Sequence, residues 1–444
     1  MSRRRERIVV VGAGVAGMRA AERLRELGFA GELVIIGAES HRPYHRPAVS
    51  KQIVTDEWKP ADAILPAYRA IDAQWRLNTT AIGLDARRRL LALPGEENLG
   101  YDGLVIATGV AAKQLSGAPR RHPRIHRLRT LSDALTLRAR LAEDKGPVVV
   151  VGTGFTGCEL ACSMRALHRT VTIVGRSTTL LTKGLGPDLG ARLTRLHSEH
   201  GVRLALGVGI THWGIKADAA AIYLSNGKIL LASHVVLAVG SVPSVGWLRG
   251  SGLAVDNGVL CEPTCHAVGA EDIVAAGDVA RWPNLRFDQT PRRIEHWINA
   301  IEMGRAAAES LLAGRSAAKP FTPVPRFWTE QHGVRVQAAG LPELDERNHP
   351  RPRGVAESPI AQYVRGGRLV GVAAMDQQGV IVDLTRRLAR ELRPARVDRG
   401  ATGTRLPMAP PQQSSDRNPL RTVNEQRWQP IAGGFTSGSV SPRS

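Results

Sequence analysis

Cysteine is scarce, with four in 444 residues. Cys158 and Cys162 stand four apart, as do Cys261 and Cys265. Neither pair is a Cys-x-x-Cys, and no histidine cluster supplies metal-ligand spacing. No disulfide framework and no metal site are therefore expected. The first pair falls on a nucleotide-binding helix, where packing is the expected role and a redox dithiol the alternative. No run of about 18 uninterrupted apolar residues occurs, which excludes a membrane-spanning helix. The opening Met-Ser-Arg-Arg-Arg-Glu-Arg enters an apolar strand directly and leaves no room for a secretory leader, so cytoplasmic residence is expected. Aromatics make up only 4% and are not interleaved with basic residues, which argues against nucleic acid as a partner. Acids are outnumbered 40 to 60 by Lys and Arg, giving net charge +20. From Arg386 to Arg443, eleven arginines face four acids. A basic surface suits an acidic partner, or solubility alone.

Glycine is plentiful, and its placement organises the chain. Residues 8–11 are four apolar residues running into Gly12-Ala-Gly14-Val-Ala16-Gly17. A helical pattern follows, then an apolar strand at 33–36 with Glu39 just beyond. In a strand–turn–helix–strand unit, Gly12 makes the tight turn and Gly14 lets a pyrophosphate approach the backbone. Gly17 lets helix and strand pack closely. The bare amides at the helix start face the phosphates, and Glu39 is placed to accept from a ribose hydroxyl. The pattern recurs. Residues 148–151 lead into Gly152-Thr-Gly154-Phe155-Thr156-Gly157, a helix to about His168 and a strand at 170–174. Two such fingerprints argue for two nucleotide cofactors.

The remaining chain divides around these units. Residues 52–74 read as short helices and loops, and 75–93 as a small antiparallel insertion with strand-like alternation at 77–82 and 89–93. Residues 101–109 are a buried strand ending at Ala107-Thr108-Gly109. A helix is expected at 131–142, with Ser132 as its N-cap, and another at 189–200. Strands are expected at 202–210, 221–224 and 228–231, with Asn226-Gly227 as a hairpin turn, and at 235–240, ending at Gly240. A short strand at 272–277 with a Gly277-Asp278 turn precedes a long helix at 291–313. Strands at 327–340 and 361–374 and a helix at 383–392 form a last unit. Beyond Pro394 the composition predicts a disordered tail.

These motifs together resemble a flavin-dependent ferredoxin reductase of the rubredoxin/putidaredoxin-reductase type. The likeness rests on both glycine fingerprints, Pro43-Tyr44-His45-Arg46-Pro47 with Ser50-Lys51, Ala107-Thr108-Gly109, Ala276-Gly277-Asp278-Val279, Glu295-His296-Trp297 and Phe327-Trp328. It covers about residues 8–392. It implies an α/β fold with two Rossmann-like nucleotide-binding domains and a C-terminal α+β interface domain. The expected boundaries are 1–113 and 243–322 for FAD, 114–242 for NAD(P), 323–395 for the last domain and 396–444 for the tail.

By that resemblance, Gly12, Gly14, Ala16 and Gly17 hold the FAD pyrophosphate and Glu39 its ribose. Arg46, Lys51, Ala81, Ala107, Thr108, Gly109, Gly277 and Asp278 contact the flavin nucleotide. Glu295, His296, Trp297 and Trp328 lie near the isoalloxazine or the domain interface. Gly152, Gly154, Phe155, Thr156, Gly157, Glu159 and Gly240 belong to the pyridine nucleotide. NADH-using relatives carry an acid after the strand at 170–174; this chain has Gly175-Arg176-Ser177. An arginine there can fork a 2′-phosphate that a carboxylate would repel, which favours NADPH over NADH. Other departures are His45 for a usual Asp and Thr329-Glu330 for Ser-Asp.

The implied reaction is hydride transfer from nicotinamide to flavin, then single-electron steps to an acidic iron–sulfur ferredoxin serving an oxygenase such as a haem-thiolate cytochrome. The cofactors carry the chemistry, so no side chain is assigned as acid, base or nucleophile. The alternatives are another flavoprotein reaction on this fold, such as a nitrite-reductase type, or a basic flavoprotein akin to apoptosis-inducing factor that binds nucleic acid.

Overall fold

A computed structural model describes residues 6–68, 71–215, 219–346 and 360–392. The expected tail and its composition-based disorder lie outside these residues. In chain order the main elements are β1 (Arg7–Val11), α1 (Val15–Glu26), β2 (Glu32–Ile36), β3 (Gln74–Arg76), β4 (Gly103–Ile106), β5 (Ile125–Arg127), α2 (Leu131–Glu143), β6 (Val148–Val151), α3 (Phe155–Ala166) and β7 (Val171–Gly175). There follow α4 (Thr182–Glu199), β8 (Arg203–Leu206), β9 (His234–Leu237), β10 (Ile273–Ala275), α5 (Trp297–Ala313), β11 (Arg326–Gln331), β12 (Val334–Gly340), β13 (Ile360–Arg365), β14 (Arg368–Met375) and α6 (Gln378–Glu391).

The first sheet has the order β10-β4-β1-β2-β3 and is parallel throughout. The second has the order β8-β7-β6-β9-β5 and is also parallel. Both centre on a continuous apolar strand, β1 or β6, as sheets covered on both faces require. Ile8, Val9, Val10, Val148 and Val150 are fully buried. In each sheet the order reverses beside that strand, and a crevice opens where the following helix starts. The third unit is an antiparallel sheet, β11-β12-β14-β13, with α6 against it.

Five local expectations are corrected. The α2 N-cap is Thr130, whose hydroxyl accepts from Asp133 N at 3.1 Å while Asp133 Oδ2 accepts from Thr130 N at 2.9 Å. This reciprocal capping box satisfies two amides where Ser132 would satisfy none. The long helix starts at Trp297, because Pro291–Arg292 is held as a strand against Trp282–Pro283. That extended run presents Glu295 and His296 to the site below. The expected strand at 202–210 is broken at Gly207 (φ 71), after which Ile210–Ile215 starts a separate sheet. The expected strand at 327–340 is a hairpin, turning at His332 (φ 51) and Gly333 (φ 79). Residues 77–82 are turn and loop, with the insertion's strands at Gly83–Asp85, Leu90–Ala92 and Asn98–Gly100. Two helices also begin earlier than the pattern suggested. α4 starts at Thr182 and kinks at Gly186-Pro187, and α6 starts at Gln378.

Candidate functional site

The two glycine turns have the same construction. Gly12 (φ 117) passes so close to β4 that a Cβ would stand 2.1 Å from the Ala107 carbonyl oxygen. Gly152 (φ 132) stands in the same relation to Ala238, also 2.1 Å. Only glycine fits either position. A Cβ on Gly17 would meet the Gly12 carbonyl at 2.0 Å, and one on Gly157 the Gly152 carbonyl at 2.2 Å. The middle glycines differ: Gly14 and Gly154 have nothing within 4 Å of a Cβ. Each is the N-cap of its helix and supplies no side-chain cap. The first amides of α1 and α3 are thus free to bind an anion, as a pyrophosphate requires.

A cavity of about 720 Å³ runs from the first turn into the space between the two sheets. Its wall includes Gly12, Gly14, Ala16, Glu39, Arg46, Lys51, Ala81, Ala107, Thr108, Gly109, Gly277 and Asp278. Phe155, Thr156 and Glu159 reach it from α3, and Glu295, His296, Trp297 and Trp328 complete it. Gly17, Gly152, Gly154, Gly157, Arg176 and Gly240 are not in this wall. Gly17 and Gly157 pack helix on strand. Arg176 is exposed past the end of β7 and has no ion-pair partner among the described residues.

A charged network lines the side nearest the first sheet. Glu39 accepts from Tyr44 Oη at 2.7 Å and from Arg46 Nη2 at 2.6 Å. Arg46 Nη1 donates to the Arg129 carbonyl at 2.8 Å, and Arg129 Nη2 donates to Asp278 Oδ2 at 3.0 Å. Burial pushes the Asp278 carboxyl up from its ordinary value, and the Arg129 guanidinium opposes the shift. Thr108 Oγ1 donates to the Ser244 carbonyl at 2.9 Å, tying the end of β4 to the segment that follows β9. Glu295 is fixed by Ser241 Oγ at 2.6 Å and Arg293 Nη1 at 2.7 Å.

A second network crosses from the first nucleotide unit to the second. Lys51 Nζ stands 2.6 Å from Glu159 Oε2. Ser50 Oγ donates to the same oxygen at 2.8 Å, and Thr329 Oγ1 donates to Glu159 Oε1 at 2.8 Å. Thr329 therefore keeps the hydroxyl function of the serine usual there, while Glu330 is exposed. The rings around this pair are close. Phe155 meets Phe327 edge-on at 5.0 Å, Phe327 lies 4.7 Å from His296, and His45 lies 5.1 Å from Trp297. Burial holds the His296 imidazole down to about 4, and its Nδ1 has no hydrogen-bond partner. Burial also lowers His45, with Lys51 adding to the effect. His296 lines the cavity directly, and His45 packs behind it against Trp297.

Arg129, Asp133 and Trp247 belong to the cavity wall but were absent from the sequence-based set. Their one local signal was Thr130 followed three residues later by Asp133, the capping box that fixes the Arg129 backbone. The four cysteines are free thiols, and none lines this cavity.

A family model described as pyridine nucleotide-disulphide oxidoreductase matches residues 6–304, and a reductase C-terminal model matches 326–406. The chain belongs to the pyridine nucleotide-disulphide oxidoreductase family. That family implies FAD and a pyridine nucleotide, which the two open glycine turns and the joining cavity fit. Similar curated proteins include the ferredoxin–NAD(+) reductase subunit of a benzene 1,2-dioxygenase system from Pseudomonas putida. It is 32% identical over 373 residues, covering 83% of this chain and 89% of that protein. A p-cumate 2,3-dioxygenase reductase component from the same species is 33% identical over 336 residues, covering 75% and 81%. The solved covalent complex of putidaredoxin reductase with putidaredoxin superposes with TM-score 0.79 at 27% identity, covering 87% and 93%. Among the described residues no helix is long and apolar enough to cross a membrane.

Proposed function

We propose that the protein is an FAD-dependent NAD(P)H:ferredoxin oxidoreductase that supplies electrons to an oxygenase. The observation that carries this reading is the single cavity shared by the Gly12–Gly17 turn and the start of α3, with Lys51 and Glu159 paired where the two units meet. Named relatives that serve dioxygenases through a ferredoxin support it.

Bound FAD supplies a centre that accepts a hydride and releases electrons singly. The protein residues orient and insulate that centre. The α1 amides and Gly14 backbone would hold its pyrophosphate, Glu39 its ribose and Asp278 its ribityl hydroxyls. Lys51 places a fixed cation at the flavin end, and Glu159 holds that cation in place. Phe155, Phe327 and Trp297 exclude water from the junction. Gly154 and the α3 amides would hold the second pyrophosphate.

Arg176 favours NADPH, since a free guanidinium past β7 suits a 2′-phosphate. The names of the relatives point to NAD(+), so the preference is read from Arg176 alone. Acidic ferredoxin surfaces suit the chain's positive charge, and such docking weakens with salt. The deciding experiment is the visible spectrum of the purified protein under anaerobic addition of NADPH or NADH, followed by an iron–sulfur ferredoxin. Bleaching of a yellow flavin, then return of the colour as the ferredoxin is reduced, is expected. A flavin bleached by neither nucleotide would reject the reading.

A further inference from the structure

We propose that Cys162, His197 and His332 form a binding site for a zinc-class divalent cation, joining the helices of the second nucleotide unit to the β11–β12 hairpin. The three residues come from α3, α4 and the hairpin turn, so no sequence spacing announces them. Their ligating atoms all lie within 4.8 Å of one another. His332 Nε2 stands 3.2 Å from His197 Nδ1. Two nitrogens bound tetrahedrally at Zn–N distances of about 2.0–2.1 Å stand roughly 3.3 Å apart, so these imidazoles are already at coordination spacing. One thiolate and two imidazoles are a donor set that borderline cations prefer over calcium or magnesium.

The group behind one of the ligands is also in place. Gln331 Oε1 accepts from His197 Nε2 at 2.8 Å. That bond fixes the tautomer and leaves the His197 Nδ1 lone pair facing His332 and Cys162. Metal-bound histidines are held in this way by an acceptor on the far nitrogen. Without metal, the same lone pair accepts a hydrogen bond from His332 Nε2–H. Coordination needs that proton moved to His332 Nδ1 through solvent and the Cys162 thiol proton released. Three dative bonds form, and one proton leaves per cation bound.

The site is reachable. His197 is buried, but Cys162 and His332 are partly exposed and line a side cavity of about 480 Å³. Lys51 and Glu159 line the same cavity. A cation held by three ligands would keep a fourth position open to this space, next to the ion pair that borders the main cavity.

The test uses the full-length, FAD-loaded protein, metal-stripped with a chelator and titrated with Co(II) and then Zn(II). One equivalent of Co(II) per chain is expected to give ligand-field bands to the red of the flavin absorption and a sulfur-to-metal band. Zinc should displace both, releasing the cobalt. Cys162→Ser should lose the sulfur band, and His332→Ala should weaken binding at least 10-fold. Retained flavin absorbance shows that each variant is folded. Zinc should raise the melting midpoint of the parent protein and not of the variants. Substoichiometric cobalt, or a spectrum and affinity unchanged in Cys162→Ser, would overturn the assignment.

Discussion

Lys51 and Glu159, 2.6 Å apart, tie the two nucleotide-binding units together in the wall of the cavity they share. The lysine follows the second strand of one unit, and the glutamate sits in the first turns of the other unit's helix. Ser50 and Thr329 fill the remaining carboxylate positions, so two segments of the chain converge on one anion.

Removing the lysine leaves a nearly buried carboxylate with two neutral donors. Lys51→Met is therefore expected to cost about 1–3 kcal/mol in denaturant unfolding. It should also slow flavin reduction by the pyridine nucleotide tenfold or more, equivalent to about 1.4 kcal/mol in the barrier. Glu159→Gln should relieve most of the stability cost when combined with Lys51→Met, giving a coupling energy in a double-mutant cycle. Stopped-flow reduction of the four proteins measures the kinetic half. Additive effects in both measurements would reduce the pair to an unrelated neighbouring couple.

The glycines separate folding from binding. At Gly14 and Gly154 an added methyl meets nothing in the protein within 4 Å. Gly14→Ala should fold normally yet purify largely free of FAD, because the methyl occupies the space a pyrophosphate needs. Gly154→Ala should keep full flavin content and raise KM for the pyridine nucleotide roughly tenfold or more. Gly12→Ala is different in kind. Its Cβ would clash with the Ala107 carbonyl oxygen, so destabilisation is expected with or without cofactor. Flavin content after gel filtration and thermal melts of the three variants check these outcomes.

The parts that were readable in the sequence were those whose cause is local. β6, and β1 past Arg7, are apolar because both faces of their sheets are covered, and Gly17 and Gly157 are dictated by the Gly12 and Gly152 carbonyls a few residues earlier. Arg129 shows what was not readable. It precedes α2, is held there by Asp133, and reaches Asp278 from a distant part of the chain. No periodicity or motif encodes that meeting. The start of α5 was misplaced for a related reason. Ile294 fits a helical stripe, but pairing of Pro291–Arg292 with Trp282–Pro283 overrides it. The Cys162–His197–His332 cluster was invisible because its members come from three elements.

Stability should fall on mild acidification. His126 is buried, touches His234 at 3.2 Å, and is held down to about 4 mainly by burial. In the unfolded chain an imidazole takes up its proton near 6.5. Between those values the unfolded state binds more protons, so the stability is complete above pH 6.5 and is lost as pH falls towards 4. At pH 5 this one group accounts for about 2 kcal/mol relative to pH 8. His296 adds to it in the same window and the same direction. Denaturant unfolding at pH 5, 6, 7 and 8 should show the slope, and His126→Gln should flatten it. An identical profile in the variant would assign the acid sensitivity to other groups.

On the proposed reading, nucleotide preference turns on Arg176. It lies exposed just past β7, and no described carboxylate neutralises it. Bound at a 2′-phosphate, a guanidinium makes charge-assisted forked bonds worth about 1.5–3 kcal/mol. Arg176→Glu replaces attraction by repulsion and offers a carboxylate to a 2′-hydroxyl instead. The ratio of kcat/KM for NADPH over NADH should therefore fall by about 10–100-fold, with the change carried mainly by KM for NADPH. Raising the salt concentration should weaken NADPH binding more steeply in the parent than in the variant, since only the parent makes the extra ion contact. A parent protein that already prefers NADH, with Arg176→Glu leaving the ratio unmoved, would return Arg176 to the solvent.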